Sequence, residues 1–139
     1  MSMQILHASC ISVQGRGVLI LGRSGAGKSA LALQLMAYGA DLVSDDRTEL
    51  TVTGADLIAR PPHVLQGLIE ARGLGVLQVP FGAEAKIVLV IDLDQTETTR
   101  LPPERRVTLL GISLPLALAL PQPHFPAAIL CYLKGERFA

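Results

Sequence analysis

The sequence predicts an α/β domain, a sheet flanked by helices around a phosphate-binding loop, and three observations carry that expectation. Residues 22 to 29 read Gly22-Arg23-Ser24-Gly25-Ala26-Gly27-Lys28-Ser29, a full match to the G-x-x-x-x-G-K-[ST] loop. The run before it, Gly17-Val18-Leu19-Ile20-Leu21, is short, apolar and partly β-branched, as a buried strand requires. The run after it, Ala30 to Met36, consists of strong helix formers. Strand, glycine turn and helix thus follow in the order phosphate binding needs: backbone N–H groups and the positive end of the helix dipole then face the β-phosphate. Further along, Ala85 to Leu93 is the clearest buried strand in the chain.

The remaining elements follow from local pattern. Ile5 to Val13 is mostly apolar and turns at Gln14-Gly15-Arg16-Gly17, which predicts a β-hairpin leading into the loop strand. The loop helix is expected to end near Tyr38-Gly39. Asp41 to Arg47 gives a short strand ending in three charges. Thr48 to Thr53, a turn at Gly54-Ala55-Asp56 and Leu57 to Arg60 suggest a second hairpin. His63 to Glu70 could hold a short helix, Gly73 to Pro80 is loop or bulged strand, and Leu110 to Leu120 is strand or loop. Ala127 to Leu133 reads as a short terminal helix.

Bulk properties limit the function classes. A chain of 139 residues with 50% hydrophobic content supports one core, so residues 1–139 are read as a single domain. Twelve basic and twelve acidic residues balance to zero and form no basic stripe, which argues against nucleic acid as a partner. Cys10 and Cys131 lack disulfide-scaffold spacing and are expected to be buried thiols in a reducing compartment. Met1-Ser2-Met3-Gln4 does not open a basic-then-apolar leader, and the apolar segment 107–120 is shorter than a bilayer span. The cytoplasm, with no membrane association, is the expected location.

A phosphate loop supplies Lys28 for the phosphates and the Ser29 hydroxyl for Mg²⁺, but phosphoryl transfer also needs acidic partners. Two sites compete. Asp45-Asp46 ends the short strand after the loop helix, where strand ends share a crevice with the loop; Asp92 ends Ile87 to Ile91 in the manner of a Walker B strand. Strand-end geometry favours the adjacent pair, in which one carboxylate can serve the metal and the other an acceptor hydroxyl.

With these motifs in place, the chain resembles the catalytic domain of the HPr kinase/phosphorylase family over about residues 5–90. The resemblance rests on His7 in the opening segment, the loop at 22–29, Ser44-Asp45-Asp46-Arg47, and Glu70-Ala71-Arg72-Gly73-Leu74-Gly75-Val76. It implies a P-loop kinase fold of the phosphoenolpyruvate carboxykinase-like type, a mixed sheet with flanking helices, and weakens Asp92 as a metal ligand. It also implies ATP and Mg²⁺ as cofactors and a seryl hydroxyl of HPr, a phosphocarrier of the sugar phosphotransferase system, as acceptor. On this basis Asp45 is the expected base with Asp46 beside it, His7 is an expected partner of the carboxylates, and Ser29, Asp46 and Glu70 are the expected metal neighbours. Arg72 is read as a phosphate contact or a partner of Glu70, and His63 and His124 as structural or surface residues. Because family members form rings, a homo-oligomer, a hexamer, is expected. Two departures stand out: the family's amino-terminal domain has no counterpart among these residues, and residues 120–126 read Leu-Pro-Gln-Pro-His-Phe-Pro, without the arginines of the family's Pro-x-Arg-Pro-Gly-Arg segment. The resemblance therefore supports the kinase direction further than phosphorolysis, and the alternative readings are a nucleotide-dependent regulatory binding module with little phosphoryl transfer or a kinase for another acceptor.

Overall fold

Strands β3 (Arg16–Leu21) and β9 (Ala85–Thr96) run parallel at the centre of the sheet, paired from Arg16–Lys86 to Leu21–Asp92. The computed structural model describes residues 3–139; Met1 and Ser2, part of the opening read for a leader, lie outside the described residues. Both central strands are apolar on both faces, as a strand covered on two sides must be. Val18, Ile20, Leu89 and Ile91 point to one buried layer, and Leu19, Ile87 and Val90 point to the other. Each fully buried Leu or Ile contributes on the order of 2 kcal/mol.

From this pair the sheet grows both ways. β2 (Ala8–Val13) forms the predicted hairpin with β3 across Gln14-Gly15, both at positive φ, and β4 (Asp41–Ser44) pairs antiparallel on its outer edge. On the other side β6 (Asp56–Arg60) pairs with the start of β9, then β5 (Thr48–Thr53), then β1 (Met3–Leu6). Further along that same edge of β9, β11 (Ile112–Ala119) pairs in parallel and carries β10 (Arg106–Leu109). The sheet is therefore mixed, with helices α1 (Lys28–Ala37) and α2 (Phe125–Gly135) packed on one face.

Several expectations are corrected. The apolar run 5–13 is not one strand: it breaks at His7, because residues 3–6 pair with β5 whereas residues 8–13 pair with β3 and β4. Residues 63–70 do not form a helix. A single 3-10 turn, His63–Leu65, ends before Gly67, whose φ of 71° leaves the helical region, and β7 (Leu68–Ala71) follows. The glycine-broken segment after it is a strand, β8 (Gly75–Gln78), antiparallel to β7. Residues 112–119 resolve as strand. Cys131 is exposed, since α2 buries Ile129, Leu130 and Leu133 and turns residue 131 outward; Cys10 is fully buried, and burial pushes its thiol well above the ordinary range.

Gly17 marks the tightest approach of the central strands: a Cβ there would lie 2.9 Å from the Ala85 Cβ and 3.2 Å from Ile87 Cδ1. Gly17→Ala should cost about 1–3 kcal/mol, read as a lower midpoint in denaturant unfolding, because the Ala85 Cβ is fixed to its backbone and cannot swing away. A second test concerns the 97–105 segment, closed by a bidentate pair in which Arg105 Nε and Nη2 donate to Glu97 at 3.0 and 3.1 Å. Arg105 holds the Glu97 carboxyl below its ordinary value of 4.5, assisted by the Thr98 and Thr99 amides. A lowered folded-state pKa contributes stability above the unfolded value that is lost as pH falls through the folded one. Glu97→Gln should therefore be less stable than wild type at neutral pH, with the gap closing below about pH 4.5.

Candidate active site

The phosphate loop leaves the carboxyl end of β3 and enters α1 at Lys28. Gly25 and Gly27 take φ values of 85° and 102°, which a side chain would resist, so the loop can curl and bring its N–H groups round the helix start. Ala26 N–H closes the curl onto the Arg23 carbonyl at 3.0 Å, while Arg23 and Ser24 are exposed. Lys28 is buried, and its ammonium donates to the carbonyls of Gly22 and Arg23 at 2.7 and 3.0 Å. That places its charge over the mouth of the loop.

Asp45 is brought to the loop by a break in strand pairing. Leu6 pairs with Thr48 and Cys10 with Ser44, so residues 7–9 face residues 45–47 outside the ladder. Asp46 there adopts φ 70°, and Ala8 N–H bonds its carbonyl at 3.0 Å. Such an interruption re-aims side chains, and it turns Asp45 inward and Asp46 outward. The Asp45 carboxylate is buried and accepts three hydrogen bonds: Ser29 Oγ at 2.7 Å and Ser9 Oγ at 2.8 Å on Oδ1, and the Glu70 amide at 3.1 Å on Oδ2. With two lone pairs per oxygen, Oδ1 is filled and Oδ2 retains room for one more proton or donor.

The other predicted residues divide around this centre. Asp46 is exposed and pairs with His7, Nε2 to Oδ1 at 3.2 Å, a solvated contact of small energetic weight. His7 and Asp46 thus meet each other but share no hydrogen bond with Asp45. Glu70 reaches the site through its backbone; its side chain and that of Arg72 are exposed, as are His63 and His124. Ser29 and the Asp45 carboxylate beside it are oxygen donors, the ligand type that suits Mg²⁺, whereas the Asp46 and Glu70 carboxylates form no hydrogen bond to Ser29. Among the described residues no group of three His, Cys, Asp or Glu side chains forms a ready cage.

Two participants escaped the sequence reading. Ser9 gives no pattern signal, being one small residue in an apolar strand. Asp94 anchors the loop from β9, both carboxylate oxygens accepting Arg23 N–H at 3.1 Å; two positions before it, Asp92 does not end its strand as expected, since β9 runs on to Thr96, and it accepts from the Asp94 amide and Gln95 Nε2. Each Asp92 oxygen so accepts one hydrogen bond. Two cavities of about 480 and 560 Å³ lie between β11, α2 and the 97–105 segment, and no residue of 22–29 or 45–46 lines either. We place the site at the loop because convergent donors and a buried carboxylate carry chemistry that concavity alone does not.

An HPr kinase/phosphorylase from Cupriavidus necator is 40% identical over 121 residues, covering 78% of this chain and 38% of that protein. One from Geobacillus thermodenitrificans is 40% identical over 146 aligned positions, covering 96% and 47%. The chain therefore spans less than half the length of the curated relatives it matches. The solved structure of the Hpr(Ser) kinase/phosphatase from Coxiella burnetii superposes with a TM-score of 0.79 at 28% identity, covering 96% of both chains. The family profile described as HPr Serine kinase C-terminal domain matches residues 1–115, which contain the loop, the Asp45 turn and the β7–β8 hairpin; the chain belongs to that family.

Proposed function

We propose that this chain is an ATP-dependent kinase that transfers the γ-phosphoryl group to a serine of HPr or an HPr-like phosphocarrier. The observation that carries the reading is the seat of Asp45, one hydrogen bond from the phosphate-loop Ser29 and buried beside the start of α1. The names of the relatives and of the structural neighbour supply the acceptor class.

The residues divide the work as phosphoryl transfer requires, mostly by positioning and charge neutralisation. Loop amides of 25–29 cradle the β-phosphate at the helix N-terminus. Lys28, already at the mouth of the loop, turns its ammonium from the Gly22 and Arg23 carbonyls onto the phosphate oxygens. Ser29 is placed to hold Mg²⁺, with Asp46 and Glu70 on the surrounding rim; the ion, when bound, neutralises charge building on the β- and γ-oxygens. The open position on Asp45 Oδ2 accepts the seryl proton as the hydroxyl oxygen attacks phosphorus. His7 and Asp46, exposed beside the buried base, form the edge over which a protein acceptor approaches. We place this activity in a cytoplasmic homo-oligomer in which residues 1–139 form one catalytic domain acting in the kinase direction.

The direct test incubates purified protein with labelled ATP, Mg²⁺ and HPr. Label should appear on serine, and intact nucleotide binding without any transfer would remove HPr as the acceptor. Asp45→Asn should lower transfer by roughly 10²–10⁴-fold while leaving the nucleotide dissociation constant nearly unchanged; retained turnover would take the role of base away from Asp45. In Lys28→Ala the dominant defect should instead be nucleotide binding, measured by calorimetry, with a loss of about tenfold or more because a charge-assisted phosphate contact disappears.

A further inference from the structure

Ser9 lies 36 residues from Asp45 in sequence and directly across from its turn in space. It is fully buried at the start of β2, its hydroxyl donates to Asp45 Oδ1 at 2.8 Å, and the same oxygen faces the Asp46 amide at 3.4 Å. A hydroxyl can donate once and still accept, so one small side chain touches both halves of the Asp45-Asp46 turn. The turn is held from the same strand by the Ala8 amide on the Asp46 carbonyl and by Thr48 Oγ1 on the Ala8 carbonyl at 2.9 Å.

Ser29 and Ser9 bond the same carboxylate oxygen but have different freedom. Ser29 sits at the helix start, partly exposed, and in the proposed function its oxygen serves Mg²⁺. Ser9 is fully buried, and both contacts of its hydroxyl are to the Asp45-Asp46 turn. We propose that Ser9 is a positioning residue: its buried hydroxyl keeps the Asp45 carboxylate aimed, with Oδ2 open to the acceptor, when Ser29 turns to the metal. This inference rests on the kinase reading for its catalytic consequence, whereas the hydrogen bond itself can be tested without turnover.

The experiment compares wild type with Ser9→Ala, Ser9→Thr and the near-isosteric Ser9→Cys, whose thiol is only a weak donor. With HPr as acceptor, Ser9→Ala and Ser9→Cys should lose about tenfold or more in kcat, the weight of one hydrogen bond to a charged group, with KM and dissociation constant for MgATP within about twofold of wild type. Ser9→Thr, which keeps the hydroxyl, should recover to within about threefold. In parallel, the Asp45 side-chain carboxyl ¹³C resonance, recorded without nucleotide or metal at one neutral pH, should move in Ser9→Ala and Ser9→Cys and return towards wild type in Ser9→Thr. Full kcat in the folded Ala or Cys variant, or an unmoved Asp45 resonance, would overturn the proposal. Should wild type itself fail to phosphorylate HPr, the kinase reading falls, and the resonance alone then decides whether Ser9 holds Asp45. If Ser9→Ala does not fold, Ser9→Cys is read in its place.

Discussion

A buried carboxylate is costly unless donors surround it, and the architecture around the site follows from satisfying Asp45. Its three partners come from three separate elements: Ser9 from β2, Ser29 from α1 and the Glu70 amide from β7. Removing any one would leave part of a charge desolvated, so the requirements of one side chain lock strand, helix start and hairpin into a single relative geometry. No other side chain in the site ties together so many elements distant in sequence. The Asp46 side chain, next in the chain but exposed, carries no such constraint and pairs with His7.

The sheet makes that convergence reachable. Parallel β3 ends at Leu21 beside Asp92, while β9 runs on to Thr96, so the loop leaving β3 meets the acidic stretch of β9, and Asp94 fastens the Arg23 amide there. On the other flank, the ladder between β1–β2 and β4–β5 opens for residues 7–9 and 45–47, where the backbone would otherwise continue as regular sheet. In an unbroken ladder neighbouring side chains alternate between the faces of the sheet. The interruption instead supplies a positive-φ turn that aims Asp45 towards the helix start while Asp46 stays in solvent. The fold thus gives adjacent, chemically identical residues different environments.

What could be read from sequence was what is local. The loop, its flanking strand and helix, both hairpins and the strand at 85–93 each show within a dozen residues as a period, a glycine turn or a motif, and the structure places them there. The expectation for 63–70 failed because a short apolar run fits either helix or strand, and pairing with β8 decided it. Exposure of Cys131 depended on which face of α2 meets the core, and a helix apolar on most sides does not declare that face. Ser9 and Asp94 were illegible for a different reason: each is a single polar residue in a strand that belongs to no motif, and their partners lie 36 and 71 residues away. Asp45 and Ser29 were legible because each sits inside a motif.

The carboxy-terminal helix shares none of the site chemistry, yet it bears on the site through packing. Ile129, Leu130 and Leu133 of α2 share one buried layer with Leu31 and Leu35 of α1, and Arg16 at the base of β3 donates through Nε to the Leu133 carbonyl at 2.7 Å. The helix whose first residues are Lys28 and Ser29 is therefore backed by a second helix that is itself fastened to the strand feeding the loop. Close-packed interiors transmit displacement instead of absorbing it, so a shift of α2 would reach Ser29 and, through it, the Asp45 carboxylate. Precision at the loop depends in this way on apolar residues beyond its motif, in a segment lying past the residues that the family profile matches.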